Sequence, residues 1–217
     1  MNDLSSALNL YVAEDGSIAV NLREVHSATL QDLLDCWQPL CDDPGIYKRY
    51  ATGHYAACKA CEQNCCGAAD ISPDLISLRR LSKGLGLSIP DFLTRFCEPD
   101  LLTHGLIKVQ SNPCIFLREN ICTVYPWRTL LCLFYICSEI EASAQELIYR
   151  CSLLGAAAAH RYAREQGLIP GAKPEGLGTF DRSFLTLMEQ QMHHSAVDYF
   201  LSTDDYAAIP LRILLET

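Results

Sequence analysis

Eight of the twelve cysteines in this chain lie between positions 58 and 137, in the order Cys58-x2-Cys61-x3-Cys65-Cys66, then Cys114, Cys122, Cys132 and Cys137. Thiolate sulfur is the ligand preferred by zinc, by copper(I) and by iron–sulfur clusters, and two thiols separated by two residues can face one ion from a single turn. The chemistry implied is metal binding. On a helix, steps of 100° per residue bring Cys58, Cys61 and Cys65 within about 60° of one another, so three ligands converge on one face. Cys66 then points about 80° away from Cys58, and needs a distorted turn or serves a different site. Packing alone supplies no reason for four cysteines in nine residues.

For the later cysteines the geometry turns on register. If residues 115–117 and 121–124 form a hairpin across Arg118-Glu119-Asn120, then Leu117 pairs with Ile121, Phe116 with Cys122 and Cys114 with Val124. Cys114 and Cys122 are then diagonal neighbours on one face. A two-residue loop puts them on opposite faces, so the metal reading expects the odd loop. Cys132 and Cys137 stand about 140° apart on an unbroken helix. Either the helix starting near Pro126 ends around Phe134, or one of these two is a packing residue in the apolar run 130–137. The expected ligand set is therefore Cys58, Cys61, Cys65, Cys66, Cys114, Cys122, Cys132 and Cys137.

These residues, together with Pro113-Cys114-Ile115-Phe116-Leu117, Cys122-Thr123-Val124-Tyr125 and Arg128-x3-Cys132-x4-Cys137, resemble the YkgJ-type cysteine-cluster family, described as zinc- or iron-chelating proteins. The resemblance covers residues 58–137. Members of that family commonly carry an Arg-Pro pair before the penultimate cysteine, whereas here Arg128 is followed by Thr129, which weakens the local turn without removing a ligand. The stretch Cys61-Glu62-Gln63-Asn64-Cys65-Cys66 is also similar to the front of flagellin lysine methylases, and that likeness implies an iron–sulfur centre. The C-terminal region carries no methylase motif.

Eight thiolates suit one four-iron cluster with spare ligands, two clusters, or two structural zinc ions. The adjacent Cys65-Cys66 pair and the resemblance favour an iron–sulfur cluster of the 4Fe-4S type, with zinc as the alternative. His54 is the one histidine placed near the cluster in sequence, and such a residue is more often a surface or capping group. Cys36, Cys41, Cys97 and Cys151 read as small packing residues, because unmodified cysteine is among the most buried residue types.

A length of 217 residues and a composition of 49% hydrophobic and 20% charged residues describe a globular chain. A net charge of −9 disfavours a surface built for phosphate backbones, so nucleic acid is not an expected partner. The first sixteen residues lack the basic start and apolar run of a signal peptide, and no apolar segment reaches the length of a membrane span. A cytoplasmic, reducing location is the expectation, and there a high cysteine count points to metal rather than disulfides.

The elements that must position the thiols are legible in outline. Residues 8–22 read as a hairpin turning at Glu14-Asp15-Gly16-Ser17. A helix over 28–37 follows, with Leu30, Leu33, Leu34 and Trp37 as a buried stripe. Ser72 and Pro73 read as the start of a helix carrying Leu75, Leu78 and Leu81, and a second helix begins near Ser88. Residues 106–110 alternate as a strand, and residues 139–166 read as a long helix favoured by the run Ala156–Ala159. The fold class expected is mainly α with small β-hairpins, α+β, its core organised around a cysteine-ligated centre. Residues 1–166 form the cysteine-cluster domain with its motif core at 58–137, residues 167–178 a Gly/Pro-rich linker, and residues 179–217 a helical appendage.

Two functions compete. One is an iron–sulfur protein used for electron transfer or protein modification. The other is a zinc-stabilised interaction module without catalytic activity, recruiting a protein partner through its acidic surface or C-terminal helices. Metal trafficking, a third, needs exposed labile thiolates. No nucleophile–base pair, phosphate-binding loop or dinucleotide fingerprint is present, so the sequence assigns no catalytic residue.

Overall fold

The computed structural model describes residues 8–22, 27–41, 43, 45, 65–67, 70–136 and 138–216. Strands β1 (Leu8–Val12) and β2 (Ile18–Leu22) pair antiparallel, with Gly16 at φ 87° in the turn between them. Helix α1 (Leu30–Cys41) buries the four stripe residues and continues past Pro39. Helix α2 (Leu75–Gly84) starts later than the sequence suggests. Its cap is Asp74, whose carboxylate accepts from the Ser77 N–H, while the Ser72 hydroxyl is taken by the Ile107 carbonyl. Helix α3 (Ile89–Phe96) begins where expected, with Ser88 as its cap, and the short α4 (Pro99–Thr103) follows.

Residues 106–110 do not form the strand that their alternation suggests. Beyond one bridge between Cys97 and Val109, their backbone is satisfied by scattered partners. Ile107 N–H donates to the His160 ring and Val109 N–H to the Ile71 carbonyl. A strand needs a neighbouring ladder, and this segment is buried among helices instead. The hairpin of β3 (Leu117–Arg118) and β4 (Ile121–Cys122) is the second and last sheet among the described residues.

After it come α5 (Leu130–Phe134), α6 (Ala142–Glu165), α7 (Thr179–Gln191), α8 (Ser195–Ser202) and α9 (Leu211–Leu215). The described chain is thus mainly helical with two small antiparallel hairpins, and no described helix is long and apolar enough to cross a membrane.

Helix α6 is the axis of the core, packing against α2, α5, α7, α8, α9 and β2. Its run Ala156–Ala159 is wholly buried, because small side chains let neighbouring helices approach closely. Gly155 carries this furthest: a Cβ there would lie 2.6 Å from the Asp74 Cβ. The helices after residue 178 share that core, with Met188, Val197, Phe200 and Leu214 in the same buried cluster. Within 167–178, Ile169 and Leu177 are buried.

Two buried polar groups tie these layers together. Asp74, 1% exposed, accepts hydrogen bonds from the Ser77 N–H (2.9 Å), the Ser77 hydroxyl, the Leu130 N–H (2.8 Å) and the Tyr206 hydroxyl (2.9 Å). One carboxylate thereby joins the starts of α2 and α5 to the C-terminal region. His160 is fully buried on α6. Its Nδ1–H donates to the Ala156 carbonyl and its Nε2 accepts from Ile107 N–H, both at 2.8 Å, which fixes the neutral tautomer.

Replacing Asp74 by alanine strips four donors of their buried acceptor. Each orphaned donor costs about 1–3 kcal/mol, with partial relief by relaxation, so we expect a loss of about 3–5 kcal/mol in denaturant unfolding. Asp74→Asn, which keeps an acceptor oxygen, should lose less. His160 generates a pH dependence of definite sign. Burial pushes its folded pKa down to about 4, against about 6.5 when unfolded. Above pH ~6.5 the ring is neutral in both states; below it the unfolded chain takes up a proton that the folded chain refuses. Its share of stability therefore falls by up to ~1.4 kcal/mol per pH unit from about 6.5 down to about 4. Unfolding curves of wild type and His160→Gln across this range should differ by that slope.

Candidate metal centre

Four of the eight expected ligands are brought together. Cys66, Cys114, Cys122 and Cys132 line one cavity of about 310 Å³, although they come from four separate local structures. Cys66 sits in a 3-10 turn, Cys65–Gly67. Cys114 lies in the turns preceding β3, and its N–H donates to the Cys66 carbonyl at 2.8 Å, stitching the two segments together. Cys122 ends β4 and Cys132 lies in α5. Cys58, Cys61 and Cys137, with His54, lie outside the described residues, and of Cys65 only the backbone is described.

The hairpin register differs from the one anticipated. Leu117 pairs with Cys122 and Arg118 with Ile121, leaving the two-residue loop Glu119-Asn120 with φ 50° and 60°. Left-handed conformation at both central positions matches the twist of a tight hairpin. Cys114 and Cys122 nonetheless face the same cavity. The alternation rule does not reach Cys114, because the strand begins only at Leu117 and residues 111–116 are turns.

Helix α5 starts at Leu130, later than Pro126, and ends at Phe134, the end point of one of the two alternatives left open by the spacing of Cys132 and Cys137. It is fixed at both ends. Asp74 holds the Leu130 N–H at its start, and Thr129 caps it, accepting from Cys132 N–H at 3.4 Å. Thr129 thus supplies the helix start at the position where the sequence departs from Arg-Pro. At the far end, Trp37 Nε1–H donates to the Phe134 carbonyl at 2.9 Å, and the Gln38 amide donates to the Leu133 carbonyl. Cys132 is therefore positioned by the core rather than by its immediate neighbours.

The cavity walls between the thiols are apolar, with Ile71, Leu81, Val109, Phe116, Val124 and Leu131 among them. Burial is the main reason that the thiols of Cys114, Cys122 and Cys132 are hard to ionise, and Cys132 is pushed up to about 12. Their mutual repulsion adds to this, since Cys66, Cys114 and Cys122 all act on Cys132. A bound cation reverses that balance, because a coordinating thiol is deprotonated outright. The chemistry of the donor set fits a thiophilic metal.

Arg128 also lines the cavity and is the one charge that opposes the rise at Cys122. Its guanidinium carbon lies 3.7 Å from the centre of the Tyr125 ring, and its Nη2 donates to Gln38 Oε1 at 3.1 Å. The neighbouring Trp127 ring fills the space beside Gly84, where a Cβ would come within 2.4 Å of it. Sequence spacing had marked Arg128 only as a motif position. At the rim, Asp70 pairs with Lys108 at 2.8 Å, and Lys108 reaches Asp181 on α7 at 3.3 Å.

The cysteines read as packing residues lie elsewhere. Cys97 and Cys151 are fully buried in the core, which pushes both thiols up to about 12. Cys36 lies on α1, and the Cys41 thiol is 3.5 Å from the Tyr135 carbonyl. Compared with protein-family models, with curated proteins and with solved structures, the chain matches none.

This division predicts two classes of cysteine variant. Alanine at Cys97 or Cys151 should cost about 1–3 kcal/mol in unfolding experiments and leave the metal content of purified protein unchanged. Alanine at Cys122 or Cys132 should abolish or halve the metal content.

Proposed function

We propose that this chain is a cysteine-ligated metal protein in which Cys66, Cys114, Cys122 and Cys132 hold an iron–sulfur cluster. The observation that carries this reading is the convergence of four thiols, from four separate local structures, on one apolar-walled cavity. Among the described residues no three Cys, His, Asp or Glu side chains form a group suited to a single ion. Around one zinc the four sulfurs would each lie about 2.3 Å from the metal, which leaves little empty space. The cavity here is on the order of ten water volumes. Four thiols around such a space suit a multi-iron cluster, whose irons take one thiolate each. Cys58, Cys61, Cys65 and Cys137 complete the proposed donor set, as spare ligands or for a second centre.

When bound, such a centre supplies one-electron chemistry, so electron transfer or a redox-dependent protein modification is the function proposed. The chain's own part is to hold the thiols in fixed positions through Asp74, Thr129 and Trp37. The four cysteines are half-buried between apolar walls that limit the access of water, and both exclusion and hydrogen bonding tune a metal site. The residues also favour a protein rather than a nucleic acid as partner, given the net charge of −9.

The test is metal analysis of protein expressed with ample iron and purified without oxygen. We expect a brown protein containing iron and acid-labile sulfide, because thiolate-to-iron charge transfer absorbs visible light and zinc, with a filled d shell, does not. Stoichiometric zinc with no iron or sulfide would replace this reading with that of a zinc-stabilised interaction module.

A further inference from the structure

We propose that Arg128 is the built-in counter-charge of the thiol cavity, holding a positive charge beside the bound centre and raising its reduction potential. This assignment rests on the cluster reading above and adds a positioning residue to it.

Four thiolates bring four negative charges into one apolar-walled space, and at low local dielectric each repels the others strongly. The bound irons would offset part of that charge, and a fixed cation beside the cavity would offset some of what remains. Among the described residues that line the cavity, Arg128 is the only cationic one. Lysine and histidine lose their charge readily when buried, whereas a guanidinium keeps it.

The way Arg128 is held marks it as more than a solvated surface side chain. Its guanidinium stands over the Tyr125 ring, with the carbon 3.7 Å from the ring centre, and is hydrogen-bonded to Gln38. Gln38 in turn is fixed by its bond to the Leu133 carbonyl at the end of α5, the helix that carries Cys132. The cation is therefore registered to the same helix as a ligand.

Two further features point to an anion in the cavity. Among the described residues Arg128 forms no ion pair with a carboxylate, unlike Arg79, Arg80, Arg161 and Arg164. Its Nε is also buried without an acceptor. Arg128 is half-buried, and a buried donor atom left without an acceptor is costly unless a negative or polar group completes it. Thiolates on the cavity wall are the negative groups that metal loading would create.

The experiment compares wild type, Arg128→Lys and Arg128→Met, each loaded anaerobically with ferrous iron and sulfide. Iron and sulfide content, circular dichroism and reduction potential are measured for each. We expect equal loading and an unchanged fold, with the Arg128→Met potential moved negative by at least a tenfold fall in the reduction equilibrium constant, 59 mV for one electron. Arg128→Lys should recover most of that shift. Equal potentials in wild type and Arg128→Met at full loading would overturn the assignment and leave the thiolate centre standing. A wild-type chain that takes up no iron and sulfide would overturn both. If Arg128→Met does not fold, Arg128→Gln removes the charge while keeping a polar side chain, and the same two results decide.

Discussion

A buried carboxylate that forms no ion pair among the described residues has to be surrounded by hydrogen-bond donors, and Asp74 draws them from three separate parts of the chain. Desolvating such a group is expensive, so its bonds are kept or the fold is lost. The starts of α2 and α5 and the Tyr206 turn are consequently held at one point. Tyr206 is itself buried, with Arg80 stacked on its outer side at 4.7 Å, so the C-terminal region closes over the carboxylate. Helix α6 passes close behind only because residue 155 is glycine.

From that point the geometry of the thiol cavity follows by short steps. Asp74 grips α5 at Leu130, Trp37 and Gln38 grip it at the other end, and Cys132 lies between. The cap at Thr129 sets the turn that follows Trp127 and Arg128. Trp127 is wedged against Gly84 on α2, the helix that Asp74 begins. Thiol, cation and apolar wall are thus registered to one frame. The short hairpin bearing Cys122 and the turn bearing Cys114 complete the ring from the other side.

The cost of this arrangement falls on the thiols. They are clustered, partly desolvated and mutually repulsive, so without a bound metal they are held protonated even beside Arg128. Metal binding to such a set is coupled to proton release and to the rigidity of the segments that bear it. The same burial that disfavours the thiolate also keeps water from a bound centre and strengthens every charge interaction inside. Arg128 would then count for more than an exposed arginine at the same distance.

Much of this was legible in the chain itself. The cysteine spacing singled out the thiols that converge on the cavity, the apolar stripe of α1 named its buried face, the alanine run of α6 favoured a helix there, and Gly16 and Ser88 marked a turn and a helix start. Those signals are local, carried by side-chain type and backbone propensity over a few residues. What only tertiary structure decided was non-local. Residues 106–110 alternate like a strand but lack a ladder partner, so burial among helices took them instead. The two-residue loop was expected to part Cys114 from Cys122, yet turns before Leu117 return Cys114 to the cavity. Cys66, which helical geometry turned away from Cys58, faces Cys114, Cys122 and Cys132. Asp74 reads in sequence as an ordinary residue near a helix start, because its partners at Leu130 and Tyr206 are far along the chain. Spacing can say which residue types could bind a metal, but the distance between two segments depends on what packs between them.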